Sequence, residues 1–207
     1  MLSTRPGDIF EYMKQSHTFS VLALCAAILG LSISCVQISD PAAGSTVPTT
    51  HSTNFAPTDA DAIAGTISLV VATESLSGEF APDNIVVLWV EDDTGAFVKT
   101  LGVWAERRIG YLYSWKDSQG SSTVDGFTAA TRSSHTGSLT VTWDGTNKAG
   151  TKMLKDTYLL RGEITDHNGA GKTFSVEINL SGGAVGSTTY PTVTGFQSIV
   201  ASFTPTL

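Results

Sequence analysis

The fold is decided by an apolar, β-branched run that reads Asn84-Ile85-Val86-Val87-Leu88-Trp89-Val90-Glu91. A run of this length and composition predicts a well-buried β-strand. Turn residues follow at once as Asp92-Asp93-Thr94-Gly95, and residues 96–103 return as a second strand. The run at residues 84–91 predicts a strand more strongly than the strand-like segment at residues 66–73 does.

Strand-like segments also occur on both sides of this hairpin. They cover residues 66–73, 139–143, 157–166 and 172–180, and Gly- and Asp-rich turns follow at 144–150 and 166–169. Residues 104–119 fit neither the helix nor the strand period, so we expect a short helix or an aromatic-rich crossover there. Short strands at regular spacing predict an all-β fold, an antiparallel β-sandwich over residues 64–183.

The bulk composition limits the chemistry that the chain can perform. A net charge of −7 disfavours nucleic acid as a partner. The two cysteines, Cys25 and Cys35, both lie near the N-terminus. The body of the protein therefore has no disulfide framework, no cysteine cluster for iron–sulfur or zinc, and no attachment motif for haem. Redox chemistry would need an organic cofactor.

The N-terminal segment has the features of an export signal. Residues 19–33 are apolar and small, too short for a comfortable membrane span, and polar sequence follows. We therefore predict a signal peptide over residues 1–34, with Met13 as an alternative start because Asp8 and Glu11 are unusual in a positive leader. Residues 35–63 predict a flexible tether. Residues 184–207 predict a polar tail, in which 193–203 would be one extra strand.

The end of the signal segment resembles a bacterial lipobox. It reads Leu-Ser-Ile-Ser-Cys over residues 31–35, with Ser32 where an aliphatic residue is usual. This resemblance implies a lipid on Cys35 and a periplasmic or cell-surface location, anchored to a bacterial membrane. The alternative is ordinary cleavage nearby, which would leave Cys35 as a free thiol.

Residues 125–134 read Asp-Gly-Phe-Thr-Ala-Ala-Thr-Arg-Ser-Ser. This segment resembles the acceptor segment of proteins that carry covalent flavin mononucleotide (FMN). The acceptor pattern is Asp, two free positions, Ser or Thr, a small residue, Ala, and the acceptor Thr, so the resemblance implies FMN on Thr131. Ala129 stands where the pattern usually has Gly. The alternative is an ordinary solvated connection.

The same resemblance implies partners and supporting residues. A flavin transferase would modify the chain, and envelope redox proteins would exchange electrons with it. We expect the segment to be an exposed loop. Arg107, Arg108 or Arg132 would steady the phosphate. The predicted cofactor-binding set is Thr131, Asp125, Thr128, Ala130 and Ser133, with an aromatic shelf of Trp104, Tyr111, Tyr113 and Trp115.

Two further resemblances cover residues 67–183. The Trp-Asp-Gly turn at 143–145, followed by Tyr158, is similar to the immunoglobulin-like repeat of flagellar hook-cap proteins. Several pieces, among them Ala-Pro-Asp-Asn at 81–84, resemble an uncharacterised family of predicted periplasmic proteins. The first resemblance implies an immunoglobulin-like sandwich. The second implies an exported, sandwich-like protein that is flavin-linked in some family members.

Two functions remain open at this point. The first is a flavoprotein of the cell envelope that transfers electrons, and the second is a non-catalytic structural or binding module. A hydrolase is disfavoured because no catalytic constellation stands out. Trp89 and Trp143 are expected in the core rather than on a ligand. His135 is expected in a surface loop, with a flavin contact as the alternative.

Overall fold

The computed structural model describes residues 58–121, 123–182 and 186–206. Within these residues the chain forms nine strands and one α-helix, α1 (Tyr113–Gln119), with 3₁₀ turns at Asp59–Asp61 and Ile109–Tyr111. The strands are β1 (Gly65–Thr73), β2 (Ile85–Asp92), β3 (Phe97–Trp104), β4 (Phe127–Ala129), β5 (Leu139–Trp143), β6 (Thr157–Thr165), β7 (Lys172–Asn179), β8 (Ser187–Tyr190) and β9 (Phe196–Pro205).

The strands form two sheets that pack face to face as a sandwich. One sheet has the order β5-β1-β9-β8 and the other the order β4-β3-β2-β6-β7. All strand pairs are antiparallel except β3 and β4, which run parallel. A parallel pair needs a long crossover rather than a tight turn, and α1 lies in that crossover. The predicted all-β sandwich is confirmed.

The main core lies between the two sheets. On β1 the buried side chains alternate with less buried ones, so that Ile67, Leu69 and Val71 face inward. On β2 the inward residues are Val86, Leu88 and Val90. This alternation follows from the two-residue period of a strand, and it sets which side chains of the neighbouring strands meet.

A second, smaller core lies on the outer face of the five-stranded sheet. Ile85, Val87 and Trp89 pack there beneath α1, which contributes Trp115. Strand β2 is therefore covered on both faces, which explains why its sequence is a continuous apolar run rather than an alternating one.

Trp143 and Tyr158 join the end of β5 to the start of β6. Their rings meet edge to face at 4.8 Å. Trp143 Nε1 donates to the carbonyl of Thr146 at 2.7 Å, and Tyr158 Oη donates to the carbonyl of Leu154 at 2.6 Å. Burial, followed by nearby carboxylates, raises the pKa of Tyr158 to about 12, so the phenol stays a donor. A tyrosine bonded back to the preceding backbone is a feature of immunoglobulin-like sandwiches.

The termini of the sandwich differ from the predicted boundaries. The C-terminal segment holds two strands rather than one, and β9 lies inside its sheet between β1 and β8 because Phe196, Ile199 and Phe203 are buried on one face. At the other end, Ile63 is buried in the main core. The predicted signal peptide, the alternative start at Met13, the lipid site Cys35 and most of the tether lie outside the described residues.

The other predicted strands are found where the sequence places them, and residues 104–119 contain a 3₁₀ turn and α1. Trp89 and Trp143 are buried, as predicted. No helix among the described residues is both long and apolar enough to span a bilayer.

Candidate functional site

The segment 125–134 forms the edge of the five-stranded sheet. Residues Phe127–Ala129 are strand β4, which pairs with β3 so that Val103 lies opposite Thr128 and Trp104 opposite Ala129. The sequence predicts an exposed loop here. The segment is largely exposed, but residues 127–129 form a strand rather than a loop. The chain returning from α1 covers backbone groups of β3 that would otherwise be unpaired at the sheet edge. The opposite edge of β4 has no strand beside it among the described residues.

Asp125 fixes the entry to this segment. Its two carboxylate oxygens accept the backbone N–H of Thr100 at 3.2 and 3.3 Å, and Oδ1 also accepts from Gln119 Nε2 at 3.4 Å. A Cβ atom on Gly126 would lie 2.4 Å from the carbonyl oxygen of Thr100, so only glycine allows this close approach. The carboxylate of Asp125 therefore takes the place of a neighbouring strand as the hydrogen-bond acceptor for the backbone N–H of Thr100 in β3.

The exit of the segment is held by two contacts. Arg132 and Asn84 exchange two backbone hydrogen bonds, each 2.9 Å long. His135 contacts the hydroxyl of Thr73 through Nδ1 at 2.9 Å and the carbonyl of Pro82 through Nε2 at 3.1 Å. His135 thus ties a loop to the sandwich. The predicted acceptor segment, residues 125–134, is therefore anchored at both ends.

Between these anchors the predicted acceptor Thr131 is half-buried. Its Oγ1 accepts a weak bond, 3.4 Å long, from the backbone N–H of Glu106. Thr128, Ala130 and Ser133 are exposed, and the half-buried Ala129 packs against the main core. The hydroxyl of Thr131 therefore lies at the surface rather than inside the sandwich.

An open groove borders this segment. Its volume is about 530 Å³, and its lining residues are Val103, Ala105, Glu106, Ile109, Thr128, Ala129 and Ala130. Val103 and Ala105 belong to the smaller core beneath α1, so the wall of the groove is fixed by packing. The surface of the groove is largely aliphatic, with one carboxylate and one hydroxyl. Such a surface suits the flat, partly apolar part of an organic ligand.

The predicted aromatic shelf is not gathered in this groove. Trp115 has no exposed surface, and its indole N–H donates to Thr100 Oγ1 at 3.0 Å. Trp104 is largely buried and meets Phe127 edge to face at 6.1 Å. Tyr111 lies beside Tyr113, with ring centroids 6.1 Å apart, over the smaller core.

Phe127 is the exposed aromatic ring of the segment, with 60% of its surface accessible. It lies over a second open groove of about 500 Å³ between β3 and β5. Phe127 could have been identified from the sequence, because it occupies one of the two free positions of the acceptor pattern.

The segment 125–134 lies within the part of the chain that matches a known protein family. Residues 69–194 match the family described as predicted periplasmic protein (DUF2271). The chain belongs to this family. No curated protein and no solved structure matches it. The match includes residues 125–134, so the predicted acceptor segment is part of the domain of this predicted periplasmic family and not an addition to it.

Two arginines of this domain contact residues 83–84. Arg108 stacks on the ring of Phe80, 4.1 Å from its centroid, and donates to the carbonyl of Asp83 at 2.5 Å. Arg132 donates through Nη2 to the carbonyl of Gly137 at 2.8 Å. Burial lowers the pKa of Arg132 below its ordinary value. An arginine guanidinium nevertheless stays charged near neutral pH. Arg107 is exposed.

Sequence reasoning missed Glu163, which holds the start of α1 on the outer face of the five-stranded sheet. Its side chain is fully buried on β6, where Oε1 accepts the backbone N–H of Tyr113 at 3.1 Å and Oε2 that of Trp115 at 3.2 Å. Burial raises the pKa of Glu163, and backbone hydrogen bonds oppose that rise. A carboxylate from a strand therefore fixes the first turn of α1.

Proposed function

We propose that this member of the periplasmic family carries FMN covalently on Thr131 and transfers electrons at the cell envelope. The observation that carries the proposal is the position of Thr131 Oγ1, at the surface and next to an aliphatic groove, with a weak 3.4 Å contact to Glu106 N. Export and a lipid on Cys35 would hold the domain at a membrane.

The small residues before Thr131 support this proposal. Ala130 is exposed and Ala129 half-buried, and the free edge of β4 leaves backbone groups available to a modifying enzyme. Extended backbone at a sheet edge is a common recognition surface for an enzyme that binds a peptide in strand form. Small side chains let the two backbones approach closely.

The chemistry is a transfer of the FMN phosphoryl group from flavin adenine dinucleotide. Thr131 Oγ1, after giving its proton to a base of the transferase, would form a new bond to the phosphorus atom that carries the riboflavin. The pyrophosphate P–O bond would break, and adenosine monophosphate would leave. No electron is gained or lost in this attachment step.

Residues of this chain would then orient the bound group. Val103, Ala105 and Ile109 offer an apolar wall to its ring system. Arg108 lies two residues beyond Glu106, whose N–H contacts Thr131, and its charge would favour the phosphodiester and the reduced flavin. When bound, the flavin supplies the one- and two-electron chemistry, while the protein sets its surroundings.

The test is co-expression of the full chain with a bacterial flavin transferase. We expect a band that fluoresces after denaturing electrophoresis and a peptide containing Thr131 whose mass is raised by that of FMN less one water. Thr131→Ala should abolish the label, and Thr131→Ser should retain it. Thr136→Ala, which alters an exposed hydroxyl outside the pattern, is the matched control. The proposal fails if wild-type protein stays unlabelled while a proven acceptor in the same cells is labelled.

The methyl group of Ala129 leads to a further prediction. Ala129→Gly should raise the initial rate of labelling on the order of fivefold, as relief of about 1 kcal/mol of steric hindrance would give. The same change should lower stability by about 0.5–1 kcal/mol, because glycine weakens a strand. In vitro flavin transfer and thermal unfolding measure the two effects. A slower rate in the glycine variant would show that Ala129 does not hinder the transferase.

A structural or binding module is the second candidate. The tyrosine corner of Tyr158 and the packed Trp143 favour a stable immunoglobulin-like scaffold. The labelling experiment separates the two functions, since a module of this kind would remain colourless with the transferase present.

A further inference from the structure

The turn between β6 and β7 holds an asparagine, Asn168, whose surroundings differ from those of Asn147 and Asn179. The Oδ1 atoms of Asn147 and Asn179 accept the backbone N–H two residues further on, and the amide that follows each of them donates to a carbonyl at 2.9 Å. Asn168 is exposed. Neither its side chain nor the backbone N–H of Gly169 has a hydrogen-bond partner within the described residues. Because Gly169 has no side chain, its nitrogen can approach the side-chain carbonyl of Asn168 closely.

The imidazole of His167 lies against Gly169. A Cβ atom on Gly169 would be 2.9 Å from Cδ2 and 3.0 Å from Nε2 of His167, so this edge of the ring is next to the glycine backbone. On the other side of the ring, Nδ1 lies 3.0 Å from Oδ1 of Asp166. A carboxylate at Nδ1 keeps the proton of the neutral imidazole on that nitrogen, which leaves Nε2 with a free lone pair. A basic nitrogen therefore lies beside the residue whose N–H has no acceptor.

The partners of His167 are themselves held in place. Asp166 is buried, and its Oδ2 accepts the backbone N–H of Gly78. Thr165 Oγ1 accepts the backbone N–H of His167 at 3.3 Å and lies 3.3 Å from the carbonyl oxygen of Gly169. The carboxylate of Asp166 and the hydroxyl of Thr165 therefore keep the ring of His167 over the turn.

We propose that the chain deamidates itself at Asn168, with His167 as the base. His167 Nε2 takes the proton from the backbone N–H of Gly169, and that nitrogen forms a bond to Cγ of Asn168. The bond between Cγ and Nδ2 of Asn168 breaks, the proton returns from His167, and Nδ2 leaves as ammonia. The product is a five-membered succinimide, which water opens at either carbonyl to give aspartate or isoaspartate. No electron is gained or lost.

The modification changes the turn in two ways. A neutral amide is replaced by a carboxylate, so the chain gains one negative charge. In the isoaspartate product, the backbone between residues 168 and 169 also becomes longer by one carbon atom. Neither change depends on flavin attachment.

The test follows the full chain during incubation near neutral pH, through release of ammonia and mass spectrometry of the tryptic peptide 162–172. We expect Asn168 to be converted on the order of tenfold faster than Asn147 and Asn179 in the same molecules, since a positioned base gives an acceleration of at least this size. Enzymatic methylation detects the isoaspartate product. Asn168→Gln, which would have to close a six-membered ring, should lack the fast phase of ammonia release.

His167→Gln is the decisive variant, because glutamine keeps a donor for Asp166 but has no basic nitrogen. Conversion of Asn168 should slow by about tenfold or more, and thermal unfolding checks that the variant is folded. His167→Ala should also be slow, and free imidazole in the buffer should accelerate it, which a purely structural role of His167 would not produce. His135→Gln is the matched control, and it should keep the wild-type rate because its ring lies on another loop. Equal rates at Asn168 and Asn147, or wild-type conversion in His167→Gln, would overturn the proposal.

Discussion

Replacing Glu163 with alanine is expected to lower the free energy of unfolding by about 3–5 kcal/mol. The carboxylate is fully buried and accepts the backbone N–H groups of Tyr113 and Trp115. Its removal leaves both N–H groups without this acceptor, that of Trp115 in a fully buried place, and it opens a cavity beneath α1. The helix has only seven residues, so it cannot be stable without its contacts to the sheet.

Chemical denaturation measures this loss, and hydrogen exchange locates it. The amides of Tyr113 and Trp115 should lose protection in Glu163→Ala, while those of β1 should exchange only as much faster as the global loss requires. Glu177→Ala is the matched control, because Glu177 is exposed on β7 and its removal should change stability by less than about 0.5 kcal/mol. A loss below 1 kcal/mol for Glu163→Ala would mean that other contacts hold α1.

The raised pKa of Glu163 also predicts a dependence on pH. Burial raises this pKa above the ordinary 4.5, so the folded protein holds the proton more tightly than the unfolded chain does. Stability from this group is therefore fully present below pH 4.5 and is lost as pH rises through the folded pKa. Asp92, Asp144 and Asp166 have lowered pKa values. The stability that these three carboxylates contribute therefore falls as the pH is lowered, which is the opposite of the dependence expected for Glu163. The difference between wild type and Glu163→Gln isolates Glu163, and parallel profiles would contradict this assignment.

The consequences of Glu163 extend to the candidate acceptor segment. Across the outer face of the sheet, cross-strand neighbours run from Glu163 to Val87, then Val103 and finally Thr128. Val103 and Thr128 line the groove beside Thr131. Loss of α1 should therefore loosen the wall of the groove as well as the small core. A difference between Glu163→Ala and the wild type in the rate of Thr131 labelling would measure this loosening.

The strands could be predicted because their side chains face two different environments. Burial on both faces of β2 requires a continuous apolar run, and the turn after it carries Asp92, whose Oδ1 accepts the N–H groups of Thr94 and Ala96. Glu163 could not be found in this way. The period of β6 marks position 163 as outward-facing, which usually means solvent, and the helix that covers it comes from a distant part of the chain.

The predicted acceptor segment illustrates the limit of local reasoning. Residues 127–129 have no strand-like alternation, and they become β4 because the edge of β3 is free to pair with them. Trp104 and Trp115 were grouped with Thr131 by nearness in sequence. In the fold they point into the two cores, and Phe127 is left as the exposed ring.

The Trp-Asp-Gly turn after β5 leads to the second large effect. Gly145→Ala is expected to lower the free energy of unfolding by about 2–4 kcal/mol, the sum of backbone strain and overpacking. Gly145 has φ +72°, a left-handed conformation, and an added Cβ would lie 2.6 Å from Cγ2 of Ile63. Gly150→Ala is the matched control. It has φ +81° but nothing within 4 Å of an added Cβ, so it should cost only about 1 kcal/mol.

The difference between these two variants measures the contact with Ile63. In an Ile63→Gly background, where both obstructing atoms, Cγ2 at 2.6 Å and Cβ at 2.7 Å, are absent, the added effect of Gly145→Ala should fall to that of Gly150→Ala. Urea denaturation of the four variants completes the cycle. The sequence assigned Ile63 to the flexible tether, yet the buried contact requires it to be part of the sandwich. Additive effects of Ile63→Gly and Gly145→Ala would contradict that contact.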